Sequence, residues 1–136
     1  MPIKIIIRLL VSIIIGGAIG LEREIEQKPA GLRTIILVCL GSTIFMLLGI
    51  ILKEEGFALD RIIAGVITGI GFLGAGAIIR ARGEVHGLTT AATIWLVSGL
   101  GLAIGAGYYI LATIASVFIL VVLRILGSIE KMLAKK

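Results

Sequence analysis

The chain has 136 residues, of which 59% are hydrophobic and only 15% charged, and its mean hydropathy is +1.20. These values exceed those of soluble proteins and predict that residues 1–136 form a single transmembrane domain. The net charge of +5 comes without a basic stripe interleaved with aromatic residues, which argues against a nucleic-acid partner.

The first predicted membrane span covers residues 3–21. Arg8, near its start, can extend its charged end to the interface. Ser12, Gly16 and Gly20 share one helical face, and such a stripe of small residues favours close packing against another helix. A cleaved signal peptide is the alternative for this segment, but a discarded peptide has no need of a packing face.

The second span is predicted over residues 34–52, which carry no charge. The polar loop before it contains Pro29 and Gly31, which interrupt helices. The loop after it contains three carboxylates, at Glu54, Glu55 and Asp60. A solvated acidic loop is the favoured interpretation, and loose binding of a hydrated divalent cation is the alternative.

The third apolar segment, residues 62–79, also carries no charge and is interpreted as the central helix of a bundle. Its glycines would weaken a soluble helix, but in lipid small residues let neighbouring backbones approach closely. On a helix they fall on two nearly opposite faces. One face holds Gly65, Gly69 and Gly76, and the other holds Gly71 and Gly74. Two small faces predict close neighbours on two sides.

The last apolar stretch, residues 87–123, has 37 residues without a charge. One helix of that length would be about 55 Å long, nearly twice the bilayer core, so the stretch must fold back. The Gly-Ala-Gly at residues 105–107 is the only credible turn. The fourth and fifth spans are therefore predicted over residues 88–104 and 108–123.

Five spans place the two ends of the chain on opposite sides of the membrane. With the N-terminus outside, the cytoplasmic side holds nine Lys and Arg residues and the outer side holds four. Because all loops are short enough for the positive-inside rule, the N-terminus is predicted outside and the C-terminus in the cytoplasm. The predicted fold class is an all-α membrane protein, a bundle of about five transmembrane helices.

A repeat is visible in two helix hairpins. The first hairpin contains Gly-Ala-Ile at residues 17–19, a charged loop and Gly-Leu-Arg-Thr at 31–34. The second contains Gly-Ala-Ile at 76–78, a charged loop and Gly-Leu-Thr-Thr at 87–90. Both hairpins cross the membrane in the same sense, so a duplication would be a parallel repeat about an axis along the membrane normal. Convergence on small residues is the alternative.

The sequence offers no arrangement typical of a catalytic, cofactor or metal site. Residues 69–74 match the dinucleotide pattern G-x-G-x-x-G, but they lie inside an apolar span and are interpreted as packing glycines. His86 is the only histidine and Cys39 the only cysteine, so neither has a second ligand of its kind for a metal. No charge lies deep in a span, and an ion path through the membrane therefore has no candidate residue.

Polar residues on the predicted cytoplasmic side form the main candidate site. Arg33 begins the second span, where the helix dipole disfavours a cation, and Glu22 and Glu24 end the first span, where it disfavours an anion. Pairing of Arg33 with Glu22 or Glu24 would relieve both unfavourable interactions with the helix dipoles. The hypothesis is therefore a partly buried network that fixes the helices at the cytoplasmic face. Ordinary interfacial charge is the alternative. The predicted network contains Glu22, Arg23, Glu24, Arg33, Thr34, Arg80, Thr89 and Thr90.

Four motifs follow one another along the chain. They read GLERE at residues 20–24, KPAGLRT at 28–34, GVITGIGFLGAG at 65–76 and GLTTAATIW at 87–95. Together they resemble the MgtC/SapB family of bacterial inner-membrane proteins, over roughly residues 5–125. The chain departs from the family where Ile35 follows Thr34 in place of a histidine. It also resembles a short form that lacks the soluble C-terminal domain found in many members.

The resemblance implies a multi-pass protein of the bacterial inner membrane, linked to growth in low magnesium and, in pathogens, to survival inside host cells. It also implies contact with another membrane protein, and the proton-translocating ATP synthase is a candidate because some members are reported to restrain it. The expected partners are membrane lipid, another inner-membrane protein and further copies of the chain. The alternative function is a small oligomeric carrier or channel for magnesium or another cation. An enzyme is not expected.

Overall fold

The computed structural model describes residues 2–81 and 84–133, without the side chains of Arg80 and Ala81. Its elements are α1 (Pro2–Ile25), α2 (Leu32–Glu54), α3 (Leu59–Gly76), β1 (Ile79–Ala81), β2 (Glu84–His86), α4 (Leu88–Ala106), α5 (Tyr109–Val121), a π-helical turn (Val122–Leu126) and α6 (Gly127–Leu133). In this described part of the chain, five helices are long and apolar enough to cross a membrane, with Tyr109–Leu133 taken as one helix. The predicted all-α bundle of five membrane helices is confirmed. The orientation of the termini and the parallel repeat stay predictions.

Two helices end at positions that differ from the predicted spans. α3 ends at Gly76, before residue 79, because the chain turns into an antiparallel hairpin in which Ile79 pairs with His86. A β-branched residue such as Ile79 suits a strand as well as a membrane helix, so an apolar run alone does not fix this end. The last helix continues past residue 123 through the π-helical turn into α6.

α4 lies at the centre of the bundle and contacts α1, α2, α3 and α5. In its most apolar stretch 61% of the residues are buried, against 6% in α3. The interpretation of residues 62–79 as the central helix is therefore wrong. The glycine pattern of α3 indicates close neighbours, but a local pattern does not say whether those neighbours belong to the same chain.

Glycines let α1 and α4 approach α2 closely. A methyl group added at Gly16 would lie 2.9 Å from Cβ of Cys39, and one added at Gly101 would lie 2.3 Å from the carbonyl oxygen of Cys39. A methyl group at Gly105 would lie 2.5 Å from Cβ of Met46. Protein interiors are close-packed, so any larger residue at these positions must push two helices apart.

Buried hydroxyl groups bridge α2 and α4 at this close contact. Thr43 Oγ1 lies 2.9 Å from the carbonyl oxygen of Gly101 and 2.9 Å from that of Cys39. Ser42 Oγ donates a hydrogen bond to Ser98 Oγ at 3.0 Å. Interhelical hydrogen bonds in membranes contribute about 0.6 kcal/mol each on average. Their main effect here is to fix how α2 and α4 align.

Arg8 caps the C-terminal end of α4. Its Nη1 atom donates to the carbonyl oxygen of Gly105 at 2.7 Å, at the end of the helix where the dipole favours a cation. The helix ends at Ala106, and Gly107 follows with a φ of +93°, so the turn predicted at residues 105–107 is present. Arg8 therefore stabilises another helix, whereas the sequence suggested only a charge that reaches the interface.

Candidate functional site

Arg23 is a buried charge at the end of α1, with 2% of its surface exposed. Because α1 continues to Ile25, Arg23 extends the face formed by Ser12, Gly16 and Gly20, and all four residues are buried. Its Nη2 atom donates a hydrogen bond to Oγ1 of Thr90 at 2.7 Å, across 67 positions of sequence. This contact joins the end of α1 to the start of α4.

The start of α4 has no side-chain cap. Gly87 precedes the helix with a φ of +88°, and a methyl group there would lie 2.0 Å from the carbonyl oxygen of Ala77. Both the backbone angle and the space therefore require glycine. The N–H groups of the first turn have no partner within the helix, and the dipole makes this end positive. With Arg23 beside it, this end of α4 favours an anion.

A cavity of about 880 Å³ lies between the end of α1, the start of α4 and the residues from the π-helical turn to α6. We call it the Arg23 cavity. It is lined by Arg23 and by Glu22, which is 5% exposed. Among the described residues, Arg23 Nε and Glu22 Oε2 are both buried and lack hydrogen-bond partners, and these two side chains form no ion pair with each other within 4.0 Å. Buried polar groups without partners are costly, so Glu22 and Arg23 place two desolvated charges at the wall of one cavity.

An exposed ion pair stands at the rim of the Arg23 cavity. Lys131 of α6 donates a hydrogen bond to Glu26, just beyond α1. This hydrogen bond lowers the pKa of Glu26. Because the pKa is lowered in the folded state, the pair stabilises the fold above the ordinary glutamate pKa and loses this effect as the pH falls through the lowered value. Solvent screens such a pair, so it ties α6 to α1 only weakly.

The predicted pairing of Arg33 with Glu22 or Glu24 is wrong. Glu24 Oε2 instead accepts a hydrogen bond from the backbone N–H of Leu32 at 2.9 Å, and so caps the start of α2. Gly31 leaves room for this carboxylate, because a methyl group there would lie 2.0 Å from Oε2. Arg33 is exposed and has no ion-pair partner within 4.0 Å among residues 2–81 and 84–133. Glu24 is thus the anion that the dipole of α2 favours, and it bonds to the backbone and not to Arg33.

The structure brings only part of the predicted polar network together. Thr89 and Thr90 line the Arg23 cavity with Arg23 and Glu22. Thr34 lies apart from them, between α2 and α3, and it also lines a second cavity of about 410 Å³ with Glu24 and Arg33. The side chain of Arg80 lies outside the described part of the chain. The buried basic residue of the site is therefore Arg23 and not Arg33. The sequence feature that indicates it is its position three residues after Gly20, on the small-residue face of α1.

The glycines of α3 pack less than the sequence predicts. A methyl group at Gly74 would lie 3.6–3.9 Å from Ala91 of α4, which is ordinary contact. Among the described residues nothing lies within 4 Å of a methyl group at Gly65, Gly69, Gly71 or Gly76. The described part of the chain therefore does not supply close neighbours on both faces of α3. The close contacts between helices that sequence reasoning missed are at Gly49, Gly101 and Gly105.

An apolar groove of about 660 Å³ separates α2 from α3, and we call it the α2–α3 groove. Its lining includes Leu37, Gly41, Phe45, Gly65, Gly69 and Leu73. The lining contains no charged side chain. Glycines on both walls leave the two backbones accessible along the groove.

Five apolar helices, interhelical hydrogen bonds and a polar cavity at one end define a multi-pass membrane protein. The chain belongs to the MgtC family, whose family model matches residues 9–132. The resemblance to the MgtC/SapB family is thereby confirmed. No solved structure matches the chain.

Three relatives illustrate the similarity. The chain is 41% identical to "Putative magnesium transporter YhiD" of Escherichia coli K12, over all of this chain and 66% of the relative. It is 42% identical to Protein SapB of Bacillus subtilis, over 86% of this chain and 54% of the relative. It is 42% identical to Protein MgtC of Salmonella typhimurium LT2, over 85% of this chain and 49% of the relative. The chain thus spans about half to two thirds of the length of these relatives.

Proposed function

We propose that this protein serves magnesium homeostasis in the bacterial inner membrane by binding another membrane protein, and that it is not an enzyme. The contact surface is the α2–α3 groove, and its occupant is one transmembrane helix of the partner. The link to magnesium rests on the family resemblance and on the name of the relative YhiD. The proton-translocating ATP synthase is one candidate partner that the resemblance suggests.

The observation that carries this proposal is the open glycine face of α3. Gly65 and Gly69 are four positions apart, so they lie on one face of the helix, and Gly41 lines the opposite wall. A methyl group at any of the three meets nothing within 4 Å in the described part of the chain. Small residues at this spacing let a second helix approach the backbone closely in lipid. The groove therefore has the form of a helix-packing surface whose helix comes from elsewhere.

The chemistry of the groove limits what can occupy it. Its walls carry no charge, and its polar side chains are the hydroxyls of Thr34 and Ser42. An apolar helix of membrane-spanning length satisfies such a surface, whereas a soluble segment would lose the hydration of its backbone. The large exposed side chain of Phe45 in the groove offers a contact for such a helix.

The alternative is a small carrier or channel built from several copies, and the transporter name of YhiD favours it. Against it, the residues that the structure describes contain no group of three or more His, Cys, Asp or Glu side chains that could hold a metal ion. The hydroxyls between α2 and α4 are also bonded to each other or to carbonyl groups. Magnesium flux into liposomes that contain the purified protein would support the carrier.

Filling the groove tests the proposal. Gly69→Leu should leave the free energy of unfolding within about 0.5 kcal/mol of the parent protein, because its side chain enters open space. It should nevertheless abolish complementation of growth in low magnesium, because the leucine occupies the place of the partner helix. Gly99→Leu is the matched control, since Gly99 is also exposed and unhindered but lies outside the groove. Normal growth with Gly69→Leu would rule out the groove as the functional contact.

A further inference from the structure

We infer that the Arg23 cavity binds a phosphate group with a primary ammonium nearby, the pair of charges found in the headgroup of phosphatidylethanolamine. This site lies apart from the α2–α3 groove, and no residue of the cavity lining belongs to that groove. The inference is therefore independent of the proposed partner contact.

The phosphate half of the site lies between Arg23 and the start of α4. Arg23 Nε is buried and unpartnered, while its Nη2 is already held by Thr90. That hydrogen bond fixes the guanidinium at the wall of the cavity, where its positive charge favours an anionic group. The free N–H groups of the first turn of α4 add donors and a positive dipole, the combination that binds phosphate at helix N-termini. The Thr89 hydroxyl also lines the cavity.

The ammonium half is set by Glu22. Its Oε2 atom is buried and unpartnered at the same cavity, and it would repel a simple anion. The charged residues of the cavity lining balance, with three acids and three bases. They are Glu22, Glu26, Glu130, Arg23, Lys28 and Lys131. A ligand that carries both charges matches this lining better than an anion, because it satisfies Arg23 and Glu22 together.

The apolar part of the cavity lining indicates that the headgroup belongs to a lipid. Val122 and Leu126, both about half exposed, come from the π-helical turn and line the cavity. Such turns occur often at functional sites, since they change the direction of side chains within a helix. An acyl chain can lie along these residues while its headgroup reaches Arg23. Headgroup pockets between transmembrane helices on the cytoplasmic side are known for other lipids.

Native mass spectrometry of the delipidated full chain in detergent tests the site. The probes are short-chain phosphatidylethanolamine, phosphatidylcholine and phosphatidylglycerol, together with soluble phosphoethanolamine. Phosphatidylethanolamine should bind roughly tenfold more tightly than phosphatidylcholine, because a quaternary ammonium has no N–H to donate to Glu22. Phosphatidylglycerol, which lacks the ammonium, should also bind more weakly. If soluble phosphoethanolamine binds as tightly as the lipid, the site is supported and its ligand is a soluble molecule.

Variants separate the two halves of the site. Glu22→Gln should remove the preference for phosphatidylethanolamine, whereas Glu55→Gln, at an exposed carboxylate outside the cavity lining, should keep it. Arg23→Gln should weaken the binding of every phospholipid. If Arg23→Gln does not fold, the comparison of lipids on the parent protein and on Glu22→Gln decides. Equal binding of the three phospholipids, a tighter phosphatidylglycerol complex, or an unchanged preference in Glu22→Gln would overturn the inference.

Discussion

Gly101→Ala is expected to destabilise the protein by about 3 kcal/mol, the upper end of the usual range for overpacking. The added methyl group would lie 2.3 Å from the carbonyl oxygen of Cys39 and 2.7 Å from Cβ of Ser42. The first of these neighbours is backbone, so the contact is relieved only by separating α2 from α4. That separation also breaks the hydrogen bond of Thr43 to Gly101.

Gly99→Ala is the control for this prediction. Gly99 lies two residues earlier in the same helix, and an added methyl group there meets nothing within 4 Å among the described residues. Its stability should change by no more than about 0.5 kcal/mol, with a small gain from the better helix propensity of alanine. The check is thermal unfolding in detergent together with the amount of protein in the membrane. Equal stability of the two variants would contradict the central position of α4.

Arg23→Ala is expected to cost at least about 2 kcal/mol. Hydrogen bonds to charged groups contribute about 1.5–3 kcal/mol, and the change also removes the packing of a long buried side chain. Arg33→Ala should change the stability by less than about 0.5 kcal/mol, because Arg33 is exposed. Thermal unfolding of both variants measures the difference. A larger loss for Arg33→Ala would restore the pairing that the sequence suggested.

The number of membrane helices follows from the sequence because it depends on local properties. The length of each apolar run and the turn glycine at Gly107 suffice to place five helices. The small-residue face of α1 is equally local, since Ser12, Gly16 and Gly20 are brought together by the helical period.

The arrangement of the helices does not follow, because it depends on which small faces meet. α3 carries the densest glycine pattern, yet among the described residues the closest backbone contacts between two helices use Gly101 and Gly105 of α4. The spacing of glycines along a helix does not distinguish a glycine that packs within the chain from one that packs against another protein. The candidate site has the same difficulty, since Arg23 and Thr90 are 67 positions apart. The sequence favoured an ion pair at Arg33, because the dipole at the start of α2 favours an anion there. In the structure Glu24 is that anion, and it accepts a hydrogen bond from the backbone N–H of Leu32.

Site-specific photocrosslinking in living cells at low magnesium tests the proposed contact most directly. The reactive residue replaces Phe45 in the α2–α3 groove, with Leu111 on α5, of similar exposure, as the control position. The proposal predicts one discrete adduct with another membrane protein from position 45 and none from position 111. Gly69→Leu should remove this adduct, and Gly99→Leu should retain it. Adducts with lipid or a second copy only, or the same adduct from both positions, would contradict the proposal.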